Sequence, residues 1–428
     1  MATKYLAGYN VQNLHLVPTT APSFPDLPTG GSTTRRVFLY SHDTFGLGHL
    51  RRNLAIAHRL LAAEDAFSVL LLTGSPVADI WDMPTALEVQ PLPPVVKTGA
   101  ERYESREPGK LFAMVKGYRE ALILKLVLRD RPDVLLVDHA PAGMNGELLS
   151  TLALIRQELP HTRVVLGLRD ILDSPATVRA LWAEQNIPAL LEVAYDDILV
   201  YGSRSLFDVA EGYGLTPAIA ARLRYCGHVV APALGEAAGP CWDVLRAAGR
   251  PVVLVTAGGG GDGLALIQAY LHGLPPPGEA AFHSAIVTGP LMPAAERAFL
   301  ERLAYARADV ELITYTTNLL PSLKAAALVV AMAGYNTTAE LIALRKSAIL
   351  VPRAAPRAEQ LMRARQMAAL GLARMVEPDE NLTTNLAALI PEALRAPPPT
   401  SWAQLDLGGA ERVVEILSVH ELNGVSVA

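Results

Sequence analysis

Ten short apolar runs of four to six residues recur along the chain, and most of them break off into Gly, Asp, His or Arg before a helical pattern begins. They cover residues 37–40, 68–72, 134–137, 163–168 and 197–201, and then 251–256, 284–288, 310–314, 328–332 and 348–351. A run that is apolar throughout, with no alternation, predicts a strand buried on both faces, which is the signature of a parallel sheet covered by helices. The helical patterns between the runs, including 50–63, 111–129, 147–158, 264–271 and 359–370, supply the crossovers that parallel strands need. The expected fold class is α/β, two tandem Rossmann-like domains with a cleft between them. In such sheets, chemistry belongs at the carboxyl ends of the strands.

The pattern weakens over 225–249, CGHVVAPALGEAAGP at its centre, which divides the chain. The expected organisation is a flexible polar arm at 1–34, a first domain at 35–230, a linker at 231–249, a second domain at 250–405 and a final segment at 406–428. Half of the 428 residues are hydrophobic and 18% are charged, enough apolar material for two cores. A net charge of −5 argues against a nucleic-acid partner. Two cysteines, Cys226 and Cys241, without CxxC spacing exclude a disulfide framework and a cysteine zinc site, and fit a reducing cytoplasm. Residues 1–31 lack a secretory pattern, and no apolar run approaches the roughly 18–20 residues needed to cross a bilayer. The expectation is a cytoplasmic protein, with attachment to the inner membrane face left open.

In the first domain, Phe45–His49 (FGLGH) joins the first strand to its helix. Gly46 and Gly48 let backbone approach a ligand, and His42, Asp43 and His49 lie at the ligand-facing strand end. His49 is the leading general-base candidate because imidazole titrates near neutrality. Asp138–His139 and Arg169–Asp170 end later strands, so Asp138 and Asp170 are the next base candidates; the plainer alternative is that each caps the following helix. His42 and His139 join Gly46 and Gly48 on the acceptor side. These histidines lack HxxxH or HxH spacing, so no metal is expected.

In the second domain, Ala257–Gly263 (AGGGGDG) follows an apolar run and precedes a helix. The consecutive Gly258, Gly259, Gly260 and Gly261, with Asp262, cost chain entropy and suit backbone N–H groups turned toward a diphosphate; a ligand-free turn is the alternative. The Walker lysine is absent, which excludes an ATPase P-loop. Gly289 ends the next run and supplies another wall. Ala331–Arg363 then combines a helix start at Gly334, Tyr335, Asn336 and Thr337 with Glu340 one turn inside. Arg353, Arg357 and Arg363 follow as candidate phosphate ligands. Residues 345–374 hold seven Lys and Arg against one Glu; a solvated basic face is the ordinary alternative.

The order of a Gly-rich loop, Gly334-x-x-Thr337-x-x-Glu340, a strand ending in Val351–Pro352 and a polar loop ending in Gln360 resembles the family 28, MurG-like group of GT-B glycosyltransferases. The resemblance covers about 252–373, and the GxGH of residues 46–49 extends it more loosely over 37–61. It implies an inverting, metal-independent transfer of a hexosyl or N-acetylhexosaminyl group from a nucleotide-diphosphate sugar, UDP-linked in the first place, to an acceptor hydroxyl in cell-envelope glycan or glycolipid synthesis. No cofactor is implied. Glu340 would hold the ribose, Gly334–Thr337 and the glycines the diphosphate, Glu359 and Gln360 the sugar hydroxyls, and the backbone at Tyr315–Thr316 the base. His49 would stand near the reacting centre, and the final helix would cross back to the first domain. Two positions depart from the group: a glycine replaces the serine of its Gly-rich loop, and its phosphate-binding arginine is missing around Gly227–Val230.

The implied partners are the sugar donor and a glycan, lipid-linked or small-molecule acceptor. Peripheral membrane contact is suggested by residues 102–131, where eight Lys and Arg against four Asp and Glu surround an apolar helix. Two other readings stay open: a nucleotide-sugar 2-epimerase or hydrolase of the same fold, and a non-catalytic nucleotide-sugar-binding protein.

Overall fold

The computed structural model describes residues 34–42, 48–64, 67–75, 83–99, 102–107, 109–230, 239–316, 318–353 and 355–419. Gly46, Asp43, the arm at 1–33 and residues 231–238 of the expected linker fall outside these residues.

The first sheet comprises β1 (Arg35–Ser41), β2 (Phe67–Thr73), β3 (Leu87–Pro91), β6 (Val134–Asp138), β7 (Arg163–Arg169), β8 (Asp197–Tyr201) and β9 (Leu223–Tyr225), in the order β3-β2-β1-β6-β7-β8-β9. The second comprises β10 (Val252–Thr256), β11 (His283–Val287), β12 (Val310–Ile313), β13 (Leu328–Ala331), β14 (Ala348–Leu350) and β15 (Arg374–Met375), in the order β12-β11-β10-β13-β14-β15. Every pairing in both sheets is parallel. The apolar runs are apolar because successive side chains go to opposite, equally buried faces. Val37 and Leu39 pack on one side of the first sheet and Phe38 and Tyr40 on the other. Val253 and Val255, against Val252 and Leu254, repeat the arrangement in the second.

Strand order reverses between β1 and β6, and again between β10 and β13. Crossovers leave such a point in opposite directions, so the chain beyond these strands parts and leaves a crevice. His42, Asp138 and His139 stand at the first crevice; the 257–263 loop and Gly334 stand at the second.

The helix Gly409–Ser418 returns to the first sheet, where Ala410, Val413 and Leu417 join the cluster containing Leu54 of the helix Gly48–Leu61. Its last carbonyls, which no helical N–H can reach, accept from Arg35 at Leu417 (2.8 Å) and Arg163 at Ile416 (2.7 Å). The chain passes between the sheets near 226–230 and 405–409, and glycines let the two passes touch. A Cβ on Gly227 would lie 2.5 Å from the carbonyl oxygen of Asp406, and one on Gly409 2.5 Å from that of His228.

Short elements depart from the sequence expectation or lie where it placed no strand. The stretch 231–249, expected as linker, contains the helix Pro240–Ala247, whose Cys241 is buried in the second core. Within the Pro-rich 83–95 stretch lies β3, an edge strand, which is where proline is tolerated. The polar 97–110 stretch contributes to an antiparallel hairpin, β4 (Val95–Gly99) with β5 (Arg102–Ser105). The helix Phe112–Asp130 buries Val115, Arg119, Leu122 and Ile123 yet leaves Met114 66% exposed, beside Leu111 at 70%. Among the described residues, no helix is long and apolar enough to cross a membrane.

Candidate functional site

His49 is the second residue of the helix Gly48–Leu61, and Asp138 is the last of the neighbouring strand β6. Their meeting is a consequence of the switch point: His49 Nδ1 lies 2.6 Å from Asp138 Oδ2. One helical turn on, Arg52 donates to Asp138 Oδ1 from Nε (3.0 Å) and Nη2 (2.5 Å). Burial alone would raise the Asp138 pKa, but the charges of Arg52 and His49 and their hydrogen bonds outweigh it and hold it at about 2. Asp138 is therefore ionised at neutral pH, and its role is to orient the imidazole. For His49, burial lowers the pKa, Asp138 opposes this, and Arg52 and Arg169 reinforce it, with the net result below 6.5. A neutral ring whose Nδ1–H donates to Asp138 presents Nε2 as a proton acceptor. Among the described residues nothing hydrogen-bonds to Nε2.

His42 and His139 complete the same wall, with ring centroids 5.7 Å and 5.0 Å from that of His49. His139 sits at φ 68°, a left-handed conformation that costs a non-glycine residue energy, and its N–H donates to the Gly167 carbonyl (2.8 Å). Burial and then the Arg169 charge hold its imidazole well below the ordinary range. Among the described residues, no group of three or more His, Cys, Asp or Glu is placed to hold a metal ion.

The opposite wall begins with the helix Tyr335–Ala343. Its N-cap is Gly334, which offers no side-chain oxygen, so the first N–H groups stay open to an anion. A Cβ on Gly48 would stand 3.4 Å from the Asn336 amide nitrogen, so the helix carrying His49 and this one start against each other. Gly258 approaches the same place, its notional Cβ 4.0 Å from Thr337 Oγ1. The glycine run also has a packing role that its sequence did not disclose. A Cβ on Gly260 would meet the Thr288 carbonyl at 2.4 Å, one on Gly289 would meet the Gly258 carbonyl at 2.6 Å, and Leu291 N–H donates to Gly259 (2.8 Å).

Glu340 is buried and accepts from Arg51 Nη2 of the first domain at 2.5 Å. A crevice lined by Arg51, Arg52, Val229, Val230, Asn336 and Glu340 opens here. Tyr315, expected near the base, follows β12 within range of the Arg51 charge. Arg353 acts as a strut: Nη1 binds Asp262 (2.7 Å), Nη2 binds Glu359 (2.7 Å), and its N–H donates to Gln360 (3.4 Å). It joins the glycine loop to the loop carrying Glu359 and Gln360.

Three expected site residues are placed in the joint between the domains. Arg363, expected as a phosphate ligand, is fully buried and donates to both oxygens of Asp170 (2.8 and 2.7 Å) and to the Ala333 carbonyl. Asp170, proposed from sequence as a base, is held well below the usual carboxylate range: burial pushes it up, and the Arg363 charge and hydrogen bonds outweigh that. Tyr335 is also buried; its hydroxyl accepts from Val229 N–H (3.1 Å), and Arg52 and Arg363 stack over its ring at 5.3 and 5.9 Å. Its side chain wedges the domains together. The sequence reading passed over Arg51 and Arg52. Their signal was available, since positions two and three after a helix-initial histidine share its end of the helix.

Residues 252–401 match the family model for the glycosyltransferase family 28 C-terminal domain. The glycotransferase of kitacinnamycin is 18% identical, with a TM-score of 0.60 over 89% of this chain and 98% of that one. MurG from Acinetobacter baumannii is 13% identical, with a TM-score of 0.54 over 89% and 98%. A Listeria monocytogenes protein assigned as a UDP-N-acetylglucosamine 2-epimerase is 15% identical, with a TM-score of 0.58 over 90% and 96%. None of the curated proteins matches this chain. The chain has the GT-B fold, and its second domain carries the family 28 signature, as the resemblance led one to expect.

Proposed function

We propose that the protein is an inverting glycosyltransferase that moves a sugar from a nucleoside diphosphate, UDP in the first place, to an acceptor hydroxyl. The observation that carries this reading is His49, oriented by Asp138, beside an uncapped helix start and a buried glutamate across one cleft. His49 Nε2 takes the hydroxyl proton as the acceptor oxygen attacks the anomeric carbon. The bond from that carbon to the diphosphate oxygen breaks on the opposite side, and the configuration inverts. Charge gathers on the leaving diphosphate, where the N–H groups at Tyr335–Thr337 and the helix dipole stabilise it. Glu340 takes the ribose hydroxyls, exchanging the Arg51 hydrogen bond for theirs, and Glu359 and Gln360 take hydroxyls of the sugar. No step of this mechanism calls for a metal.

A thermal-shift panel of UDP, dTDP, GDP and their sugars tests the donor class. One base should raise the melting temperature by several degrees at millimolar concentration, because a ligand at a hundred times its Kd stabilises by about 2.7 kcal/mol. No response to any member contradicts the reading. Release of free sugar or an epimerised nucleotide from donor alone favours the epimerase or hydrolase alternative.

The acceptor side includes the exposed Leu111 and Met114 with Lys110 beside them, and we place a peripheral membrane contact there. Vesicles containing anionic lipid should bind the protein, and Leu111→Ser with Met114→Ser should weaken this binding at least fivefold. Equal binding by the doubly substituted protein removes the membrane contact from the account.

A further inference from the structure

Asp138, Asp170 and Glu359, near the reacting end of the cleft, are each claimed by an arginine other than Arg169. Arg52 holds Asp138, Arg363 holds Asp170, and Arg353 holds one oxygen of Glu359. Arg169, the last residue of β7, is left over: it is only partly exposed, its Nε is shut off from solvent without a hydrogen-bond partner, and among the described residues it makes no ion pair. Arg357 of the facing domain likewise makes no ion pair among the described residues. The two belong to segments in direct contact, since Ala358 N–H donates to Asp173 Oδ1 at 3.0 Å and Arg363 clamps Asp170. Arg52, Arg363 and Arg357 all crowd the Arg169 guanidinium with like charge, while Glu359 is the carboxylate that relieves it; burial and these charges lower its pKa to about 10. His49 and His139 feel the same cation. Like charges brought together across a cleft around one carboxylate that Arg353 already holds cost stability, and such costs are found where a ligand supplies the missing charge.

We propose that Arg169 and Arg357 form an anion site that bridges the two domains beside His49 and receives a carboxylate or phosphate carried by one of the sugar substrates. The site rests on the donor reading above and adds the substrate's chemical class to it. A guanidinium from each side grips the anion, charge-assisted and geometrically directed, and closes the cleft only around a substrate that carries it. The anion belongs either to the transferred sugar, as in a uronate, or to the acceptor, as in a sugar phosphate.

Calorimetry with UDP, UDP-glucose and UDP-glucuronate, and with glucose 6-phosphate or methyl glucuronide added to the UDP-loaded protein, separates these sources. If the anion is on the donor, UDP-glucuronate binds ten- to a hundredfold more tightly than UDP-glucose. If it is on the acceptor, the charged sugar binds the UDP-loaded protein and neutral methyl glucoside does not. In both cases Arg169→Gln removes the preference, Arg169→Lys keeps part of it, and UDP affinity is unchanged. The inference is overturned if UDP binds but neither charged probe is preferred, or if Arg169→Gln leaves a preference intact. If UDP itself fails to bind, the donor reading falls, and ligand-free melting decides the site alone. An unpaired cation among like charges predicts that Arg169→Gln raises the melting temperature by a few degrees. A fall means that Arg169 already has its counter-ion, and overturns the site.

Discussion

Replacing His49 by alanine should lower kcat by roughly 10²–10⁴, the range over which a positioned general base contributes, with nucleotide affinity unchanged. The size follows from what is lost. In the proposed mechanism Nε2 takes the hydroxyl proton, while Asp138 and Asp170 are both committed to arginines and ionised far below neutrality. Neither carboxylate has the basicity to take over. The pH profile carries the same information. The His49 pKa is depressed below 6.5, so the active neutral ring persists to lower pH than an ordinary histidine would allow. The acid limb of log(kcat/KM) should therefore break below pH 6.5 in the wild type. With Asp138→Asn the ring loses its orienting partner, and kcat should fall while the protein keeps its nucleotide. A His49→Ala protein within tenfold of wild-type kcat contradicts the assignment.

Replacing Asp170 by alanine should destabilise the protein by about 3–5 kcal/mol, the cost of leaving one partner of a buried ion pair alone. Arg363 and Asp170 are both almost fully buried and meet through two hydrogen bonds, with His228 Nε2 3.6 Å away. They come from different domains, so the loss should appear as looser coupling of the two. Urea unfolding should show a lower midpoint or two separated transitions. Adding Arg363→Met, which removes the stranded cation, should recover much of the loss. The sign of the pH dependence is fixed by the depressed Asp170 pKa: this stability is present above the ordinary carboxylate pKa and is lost as pH falls through the folded-state value. An Asp170→Ala protein with an unchanged midpoint means that the joint is held by Tyr335 and the glycine crossings.

Residues 134–138 and 252–256 show why the sheets could be read from sequence. Strands buried on both faces leave continuous apolar runs, and their carboxyl ends announce themselves by the sudden change to Asp138–His139 and Ala257–Gly263. The edge strand β3 and the β4–β5 hairpin left no such run because one face or edge meets solvent, and Pro91 is tolerated there. His49 could be singled out because it opens a helix after a glycine, and Glu340 because it lies inside the helix that Gly334 caps. What the sequence could not disclose is pairing across the domains. Arg363 and Asp170 each look like a site residue alone, and only the docking of the two sheets reveals that they satisfy one another. The same docking leaves Arg169 over.

Isothermal calorimetry of UDP with the wild type and Glu340→Ala tests the central claim most directly, because Glu340, buried against Arg51, is the carboxylate proposed to take the donor's ribose. The account predicts one UDP per wild-type molecule and at least tenfold weaker binding by Glu340→Ala, with both proteins melting within a few degrees of each other. Equal UDP affinity in the two proteins contradicts it.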